Sequence, residues 1–412
     1  MRKTHVFVQA LGALGCAAFL AACSNSGSSG SITPSGVAPD SQTRRPQGAV
    51  GPDATAEYAY VVNSGDRSIS AYKINTTTGA LTSVTGLFRT GADPTALALD
   101  PAGDFLYAVN AGSDNVSAYG IDVSTGALKK IAGSPFGTGL QPEGVAVDPS
   151  GKFAYVANAG RYFGSSGNVY AYKINAATGA LTPVFGSPFT AGNGPIDVAV
   201  DPKGTFVYVT NQNSYNISAF KINTTTGALK QVAGSPFASA YPIGLVVDPS
   251  GKFVYVTDGG VSSSGGGVWA YKIDTASGAL SEVLGSPFAA GAQPACVVVD
   301  PTGKFAYVGN AGGATISAYQ INATSGALTQ VKGSPFLGAS TPYGVTVDPT
   351  SGLLYVANNS YNTGYGSVSG YEINATSGAL TLVTGSPFAA GKSPFDIASC
   401  RVASGKCIPP PL

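Results

Sequence analysis

The stretch GVAVDPSGKFAYVANAGRYFGSSGNVYAYKINAATGALTPVFGSPF, residues 144–189, carries in one pass the signals that decide the fold. Gly144 to Asp148 is a short apolar run, as expected of a strand buried on both faces. Asp148-Pro149-Ser150-Gly151 fits a type I turn, with Asp capping position i, Pro presetting φ at i+1 and Gly at i+3. Phe153 to Asn158 reads as a second strand and Val169 to Ile174 as a third. Asn175 to Gly179 forms a hairpin in which glycine takes φ > 0. Ala180 to Phe185 is the fourth strand, and Gly186-Ser187-Pro188-Phe189 opens a crossover to the next unit.

This unit recurs. Its Gly-Ala-Leu marker stands at Gly79, Gly126, Gly179, Gly227, Gly278, Gly326 and Gly378, in steps of 47 to 53 residues. Periods of that length indicate propellers or similar arrays. Four antiparallel strands repeated radially make propeller blades. The innermost runs begin near Thr95, Glu143, Ile196, Ile243, Ala295, Tyr343 and Phe395. The first set of strands, from Tyr58 to Thr85, has no inner run before it, and the last inner run, Phe395 to Cys400, lacks the three strands that should follow it. The two complete each other. The expected fold is therefore all-β: a seven-bladed β-propeller with four antiparallel strands per blade, closed by the C-terminal strand joining the N-terminal blade. Four strands in each of seven blades would use every predicted strand, with none left over. A linear solenoid would instead leave both ends incomplete.

The unit resembles the lactonase-type seven-bladed propellers, which include the 6-phosphogluconolactonase-like proteins and those named for a Tyr-Val-Thr-Asn repeat. Tyr208-Val209-Thr210-Asn211 is the literal phrase, and Tyr155-Val156-Ala157-Asn158 and Tyr355-Val356-Ala357-Asn358 are near copies. The resemblance implies a lactone hydrolase that uses histidine, glutamate and arginine in a central cleft.

The ends of the chain read differently. Arg2 and Lys3 precede an apolar run from Val6 to Ala22, which ends in Leu20-Ala21-Ala22-Cys23. This resembles a bacterial lipoprotein signal, with Cys23 as the lipidated residue and Ser24 permitting export to an outer membrane. The expected organisation is a signal peptide over 1–22, the lipidated Cys23 and a Ser/Gly/Pro tether over 23–56, the propeller over 57–407 and a tail over 408–412. A tether of that length has an r.m.s. span of roughly 30 Å. The expected address is the bacterial cell envelope, with the membrane reached through the lipid on Cys23.

Composition narrows the function. Lys, Arg, Asp and Glu make up 10% of the 412 residues, against about 25% in an average soluble domain. The net charge of +1 gives no electrostatic case for binding nucleic acid. The expected state is a monomer. Signal removal also takes His5, the only histidine, so a zinc site is not expected. No Cys-x-x-Cys pair, phosphate loop, Gly-x-Ser-x-Gly elbow or calcium loop is present. Neither a metal nor a cofactor is implied. Cys400 and Cys407 can bridge and so pin the end of the closing strand, while Cys296 reads as an inert thiol in a buried inner strand.

Candidate site residues follow from loop placement. The DPSG turns and Gly-Ala-Leu hairpins share one face of a propeller and are nearly identical from blade to blade. The second-to-third loops and the crossovers share the other face and vary. Three of these loops are long: Asn158 to Val169, Asp258 to Val268 and Asn358 to Val368. Loops on a rigid scaffold are where sites lie. The binding candidates are Arg161, Tyr162, Phe163, Tyr241, Tyr361, Tyr365 and Asp396. For catalysis, Glu143 or Asp197 would be the base and Arg161 the anion holder, substitutes for the missing histidine. Aromatics that recur in nearly every blade, such as Phe153, Tyr155 and Tyr172, are read as packing. The leading expectation is a binding module for a protein, a glycan or a small ligand. The alternatives are a lactone hydrolase and a structural adhesion protein.

Overall fold

The computed structural model describes residues 56–410, except 161–165, 261–265, 339, 351 and 361–363. Seven antiparallel sheets are arranged radially. The blades are numbered from the one that contains both chain ends. Blade one runs outward from Pro394–Ala403 through Glu57–Asn63 and Ser68–Ile74 to Leu81–Ser83. Blade three, the quoted stretch, runs from Pro142–Val147 through Phe153–Asn158 and Ser166–Ile174 to Leu181–Pro183. The other inner strands are Pro94–Leu99, Pro195–Val200, Pro242–Val247, Pro294–Val299 and Pro342–Val347. Each inner strand packs against the next, and Pro394–Ala403 packs against both Pro342–Val347 and Pro94–Leu99. The ring is closed.

The core is divided into seven apolar layers, each shared by two neighbouring blades. Phe153, Tyr155 and Val169 of blade three, for instance, pack with Val198, Val207 and Phe220 of blade four. The repeated residues explain how blades are held together. The second-strand tyrosine of each blade donates its hydroxyl proton to the carbonyl of the hairpin glycine in the next: Tyr107 to Gly179 at 3.0 Å, Tyr155 to Gly227 at 3.2 Å and Tyr208 to Gly278 at 3.1 Å. The series runs through Tyr60, Tyr255 and Tyr307 and closes with Tyr355 to Gly79 at 2.8 Å. The glycine itself is required. At Gly278, φ is +81° and a Cβ would stand 2.4 Å from the Phe206 ring. Third-strand tyrosines tie down the crossovers in the same way, as Tyr119 does with the Arg89 carbonyl at 2.6 Å. These aromatics are packing groups, as the repeat implied. Tyr208→Phe would leave a buried carbonyl unpaired and should cost about 1–2 kcal/mol. Urea unfolding checks it, and a loss below about 0.3 kcal/mol would show that the clamp adds nothing.

Two details depart from the sequence reading. First, there are strands beyond four per blade. The fourth strand is short and covers only the end of the third, so in most blades a piece of the crossover pairs with its beginning, as Phe237–Ala238 does with Asn216–Ile222. Second, the chain does not stop at the closing strand. Lys406–Ile408 folds back on Pro394–Ala403, and the Cys400–Cys407 disulfide joins the two arms. This hairpin reaches blade two, where Cys407 N–H donates to the Gly103 carbonyl at 3.1 Å and Lys406 meets Asp104 at 2.5 Å.

Candidate channel-mouth site

Every inner strand opens with proline, and its second residue is bulged out of the ladder. In blade three, Pro142 pairs with Asn158 and Gly144 with Ala157, which leaves Glu143 unpaired. The same shift frees Thr95, Ile196, Ile243, Ala295, Tyr343 and Phe395. Bulges of this kind re-aim a side chain. All seven side chains are partly exposed, while the proline before each is buried, so they form one ring at the channel mouth on the variable face. It is polar across blades two and three, with Thr95 and Glu143, and aromatic across blades seven and one. There the Tyr343 and Phe395 rings lie 4.9 Å apart at 40°.

The rim just above this ring is strained. The residue before the proline takes φ of +48° at Asp93, +54° at Gln141, +52° at Gln293, +52° at Thr341 and +51° at Ser393, where a residue before proline is expected to be extended. One hydrogen bond accompanies this geometry, from the chain leaving the second strand to the strained residue's carbonyl: Ala159 to Gln141 at 2.9 Å and Asn359 to Thr341 at 3.0 Å.

The three candidate carboxylates stand at two kinds of position. Asp197 and Asp396 occupy the layer below the mouth, where Gly144 and Gly344 make room: a Cβ on Gly344 would lie 2.6 Å from the Asp396 Cα. Each spends both carboxylate oxygens on backbone amides, one in its own blade and one in the next. Asp197 accepts from Val198 at 2.8 Å and Leu245 at 2.9 Å. Asp396 accepts from Ile397 at 2.8 Å and Leu97 at 3.0 Å. They are inter-blade staples. Burial nevertheless raises them, Asp197 to about 6 and Asp396 to about 7, and Asp197 adds like-charge repulsion at Asp396. Sequence reasoning saw two acids in apolar strands but could not see that each reaches a backbone amide of the next blade.

Glu143 is different. Its Oε1 accepts from Gln141 Nε2 at 3.1 Å. Burial pushes its pKa to about 7, against the opposing Gln141 bond and with a further push from the Asp93 charge. The Tyr241 ring lies 6.0 Å from that of Tyr215, tilted by 48°, and Asp258 accepts from the Tyr241 amide at 3.2 Å and the Trp269 indole at 3.4 Å. Tyr365 is exposed, with the Lys392 ammonium 5.3 Å from its ring centre. Arg161, Tyr162, Phe163 and Tyr361 lie outside the described residues, as does Cys23. Cys296, read as an inert thiol in a buried inner strand, is a free cysteine of intermediate exposure that feels the charges of Asp396 and Asp197. Burial holds its pKa near 12, so it is a thiol and not a thiolate. Among the described residues no group of three or more His, Cys, Asp or Glu could hold a metal ion.

Similarity to known proteins agrees with this architecture. A family model described as "Lactonase, 7-bladed beta-propeller" matches residues 31–141, 135–242, 233–341 and 282–398. No curated protein sequence matches the chain. Among solved structures, a candidate 6-phosphogluconolactonase of Bacteroides fragilis is 21% identical, with a TM-score of 0.70 over 85% of this chain and 99% of that one. A periplasmic gluconolactonase of Pseudomonas aeruginosa is 18% identical, with a TM-score of 0.68 over 84% and 99%. A protein of Lactobacillus plantarum is 23% identical, with a TM-score of 0.66 over 84% and 99%. These likenesses show the fold, and the family match, which spans most of the sequence, shows that the chain belongs to the seven-bladed lactonase propeller family.

Proposed function

We propose that this protein is a cell-envelope lipoprotein, anchored by a lipid on Cys23, whose propeller binds a small ligand at the channel mouth of its variable face. The observation that carries the binding reading is the ring of seven bulged side chains, part polar and part aromatic, on a scaffold otherwise repetitive from blade to blade. Asp197, one of the two candidate bases, and Asp396, a binding candidate, are committed to backbone amides. A rigid mouth with one available carboxyl supports binding better than turnover. Detergent fractionation tests the anchor: Cys23→Ala should move the protein from the membrane to the aqueous fraction, and an unchanged distribution would refute lipidation there.

A second reading, hydrolysis of a lactone, is favoured by Glu143. A carboxyl with a pKa near 7 has the basicity a water-activating base needs at neutral pH, and family membership points the same way. The chain lacking residues 1–23, assayed against simple and sugar lactones, separates the two. The binding reading expects no turnover above background. Hydrolysis that falls at least a hundredfold in Glu143→Gln, with Arg161→Ala also impaired, would replace it with the enzymatic one.

A further inference from the structure

The face that carries the turns and hairpins is nearly uniform in its turn chemistry but not in its charge. In blade three, Lys152 follows the turn and Lys173 stands one residue before the end of the third strand. Blade four has Lys203 and Lys221 at the same end, and blade five has Lys252 and Lys272. All six are exposed, and none makes an ion pair. Outside these blades the third-strand position is Lys73 in blade one, and Gly120, Gln320 and Glu372 in blades two, six and seven. The paired lysines are thus gathered in one sector, which a net charge averaged over the whole surface hides.

The acids of these turns and hairpins do not balance the sector where it meets solvent. Asp148, Asp201 and Asp248 are buried, and each spends one carboxylate oxygen on two backbone amides of its own turn. The exposed acid is Asp274. In blade four, Lys221 and Lys230 stand directly opposite each other on the third and fourth strands, and like charges so placed are destabilising. Charge gathered at a cost and left uncompensated points to a partner outside the chain.

The chain enters the propeller on this same face. Glu57 stands opposite Ile74, as Lys152 stands opposite Ile174, whose N–H donates to the Lys152 carbonyl at 2.8 Å. Glu57 therefore occupies in blade one the place of Lys152 in blade three. Just before it, the Ala56 carbonyl accepts from the Val402 N–H at 2.7 Å.

We propose that the lysine sector of blades three to five docks on the anionic phospholipid headgroups of the membrane that holds the Cys23 lipid, so that the channel mouth opens away from the bilayer. The inference rests on the lipid anchor proposed above. A tether with an r.m.s. span of roughly 30 Å, joined to the propeller at Ala56, holds the lysine face at high effective concentration near the bilayer. Each lysine that comes within a Debye length, about 10 Å at 0.1 M salt, of a negative lipid surface adds to the attraction.

Sedimentation of the chain lacking residues 1–23, which lie outside the compact unit that begins at Gly51, tests the face without the anchor. That chain should bind vesicles of two parts phosphatidylcholine to one part phosphatidylglycerol and should not bind phosphatidylcholine alone. It should come off in salt near 1 M, where the Debye length is about 3 Å. Lys173→Gln, Lys221→Gln and Lys272→Gln together should weaken vesicle binding at least tenfold with the melting temperature unchanged. Arg67→Gln, Arg89→Gln and Lys332→Gln together remove the same charge from the crossover side and should leave binding within about twofold. Equal losses in the two triple variants, or binding to soluble heparin but not to the anionic vesicles, would overturn the proposal. In the lipidated chain reconstituted in the same vesicles, a donor dye on Thr225→Cys should transfer to a headgroup acceptor more strongly than one on Tyr215→Cys, and the lysine variant should erase the difference. A protein held to membranes through Cys23 whose shortened form ignores anionic vesicles, and whose two labels transfer equally, sinks this inference and leaves the anchor. Vesicle binding by the shortened chain, with fractionation unchanged in Cys23→Ala, sinks the anchor and leaves the lysine face.

Discussion

A chain ended at Ser393 should fail to fold, whereas one ended at Ala403 should fold with reduced stability. The first cut removes the whole inner strand of blade one. That strand pairs with Glu57–Asn63 from Glu57↔Arg401 to Asn63↔Pro394. Its Cys400 and Val402 fill the layer shared with blade two, and its Ile397 the layer shared with blade seven. Each apolar side chain so lost forfeits roughly 1.5–3 kcal/mol, and two inter-blade layers open together. A typical domain is stable by about 5–15 kcal/mol, so the remainder has no margin. It would also expose Glu57–Asn63, buried along its whole length, as an unprotected strand edge that invites aggregation. The second cut keeps the strand and removes Lys406–Ile408, the disulfide and the contact of Lys406 with Asp104. Loop-closure entropy puts the disulfide at about 2.5 kcal/mol, and the melting temperature should fall by several degrees. Size-exclusion chromatography and thermal melts distinguish the two products. A cooperative melt from the chain ended at Ser393, near that of the full chain, would mean the ring does not depend on its closure.

The second large effect is on pH. Glu57, Glu143, Asp197 and Asp396 all have folded pKa values above their ordinary 3.8 to 4.5, at about 7, 7, 6 and 7. Burial is the first cause in each. At Glu57 the Asp348 charge adds to it and Arg401 opposes it, and the Glu57 Oε2 has no hydrogen-bond partner. A raised acid binds its proton more tightly in the folded state than in the unfolded state. Its contribution to stability is therefore complete below about pH 4 and is lost as pH rises through 6 to 7. The exposed Asp122 and Asp274 have lowered pKa values through hydrogen bonds and act in the opposite sense at low pH. Stability should therefore be greatest near pH 5 and fall toward pH 8, on the order of 1–2 kcal/mol per raised group after allowance for water in the channel. Urea midpoints between pH 4 and 9 measure it. Glu57→Gln, which cannot ionise, should flatten the upper limb and stabilise the protein at pH 8. A midpoint that rises steadily to pH 8 would refute the assignment.

Much of this was legible in the residues. Seven copies of the Gly-Ala-Leu hairpin and six of the DPSG-type turn, with incomplete sets at the two ends, lead to seven blades and a shared closing blade. Regular spacing is a property of the chain itself. The packing role of the repeated tyrosines was equally plain, because a residue present in nearly every unit serves the unit. The site was less legible. Glu143, Asp197 and Asp396 look alike as acids in apolar strands, yet the first stands at a bulge facing the mouth and the other two staple neighbouring blades.

The amino-acid sequence by itself determined blade number, the four main strands of each blade and the closing arrangement, because each depends on local turn chemistry and on a period counted along the chain. Only the tertiary structure decided which side chains reach across from one blade to the next, which carboxyls lose their water, and which polar group is buried without a partner. Those properties depend on the separation of residues some fifty or more positions apart, and no local pattern encodes that distance.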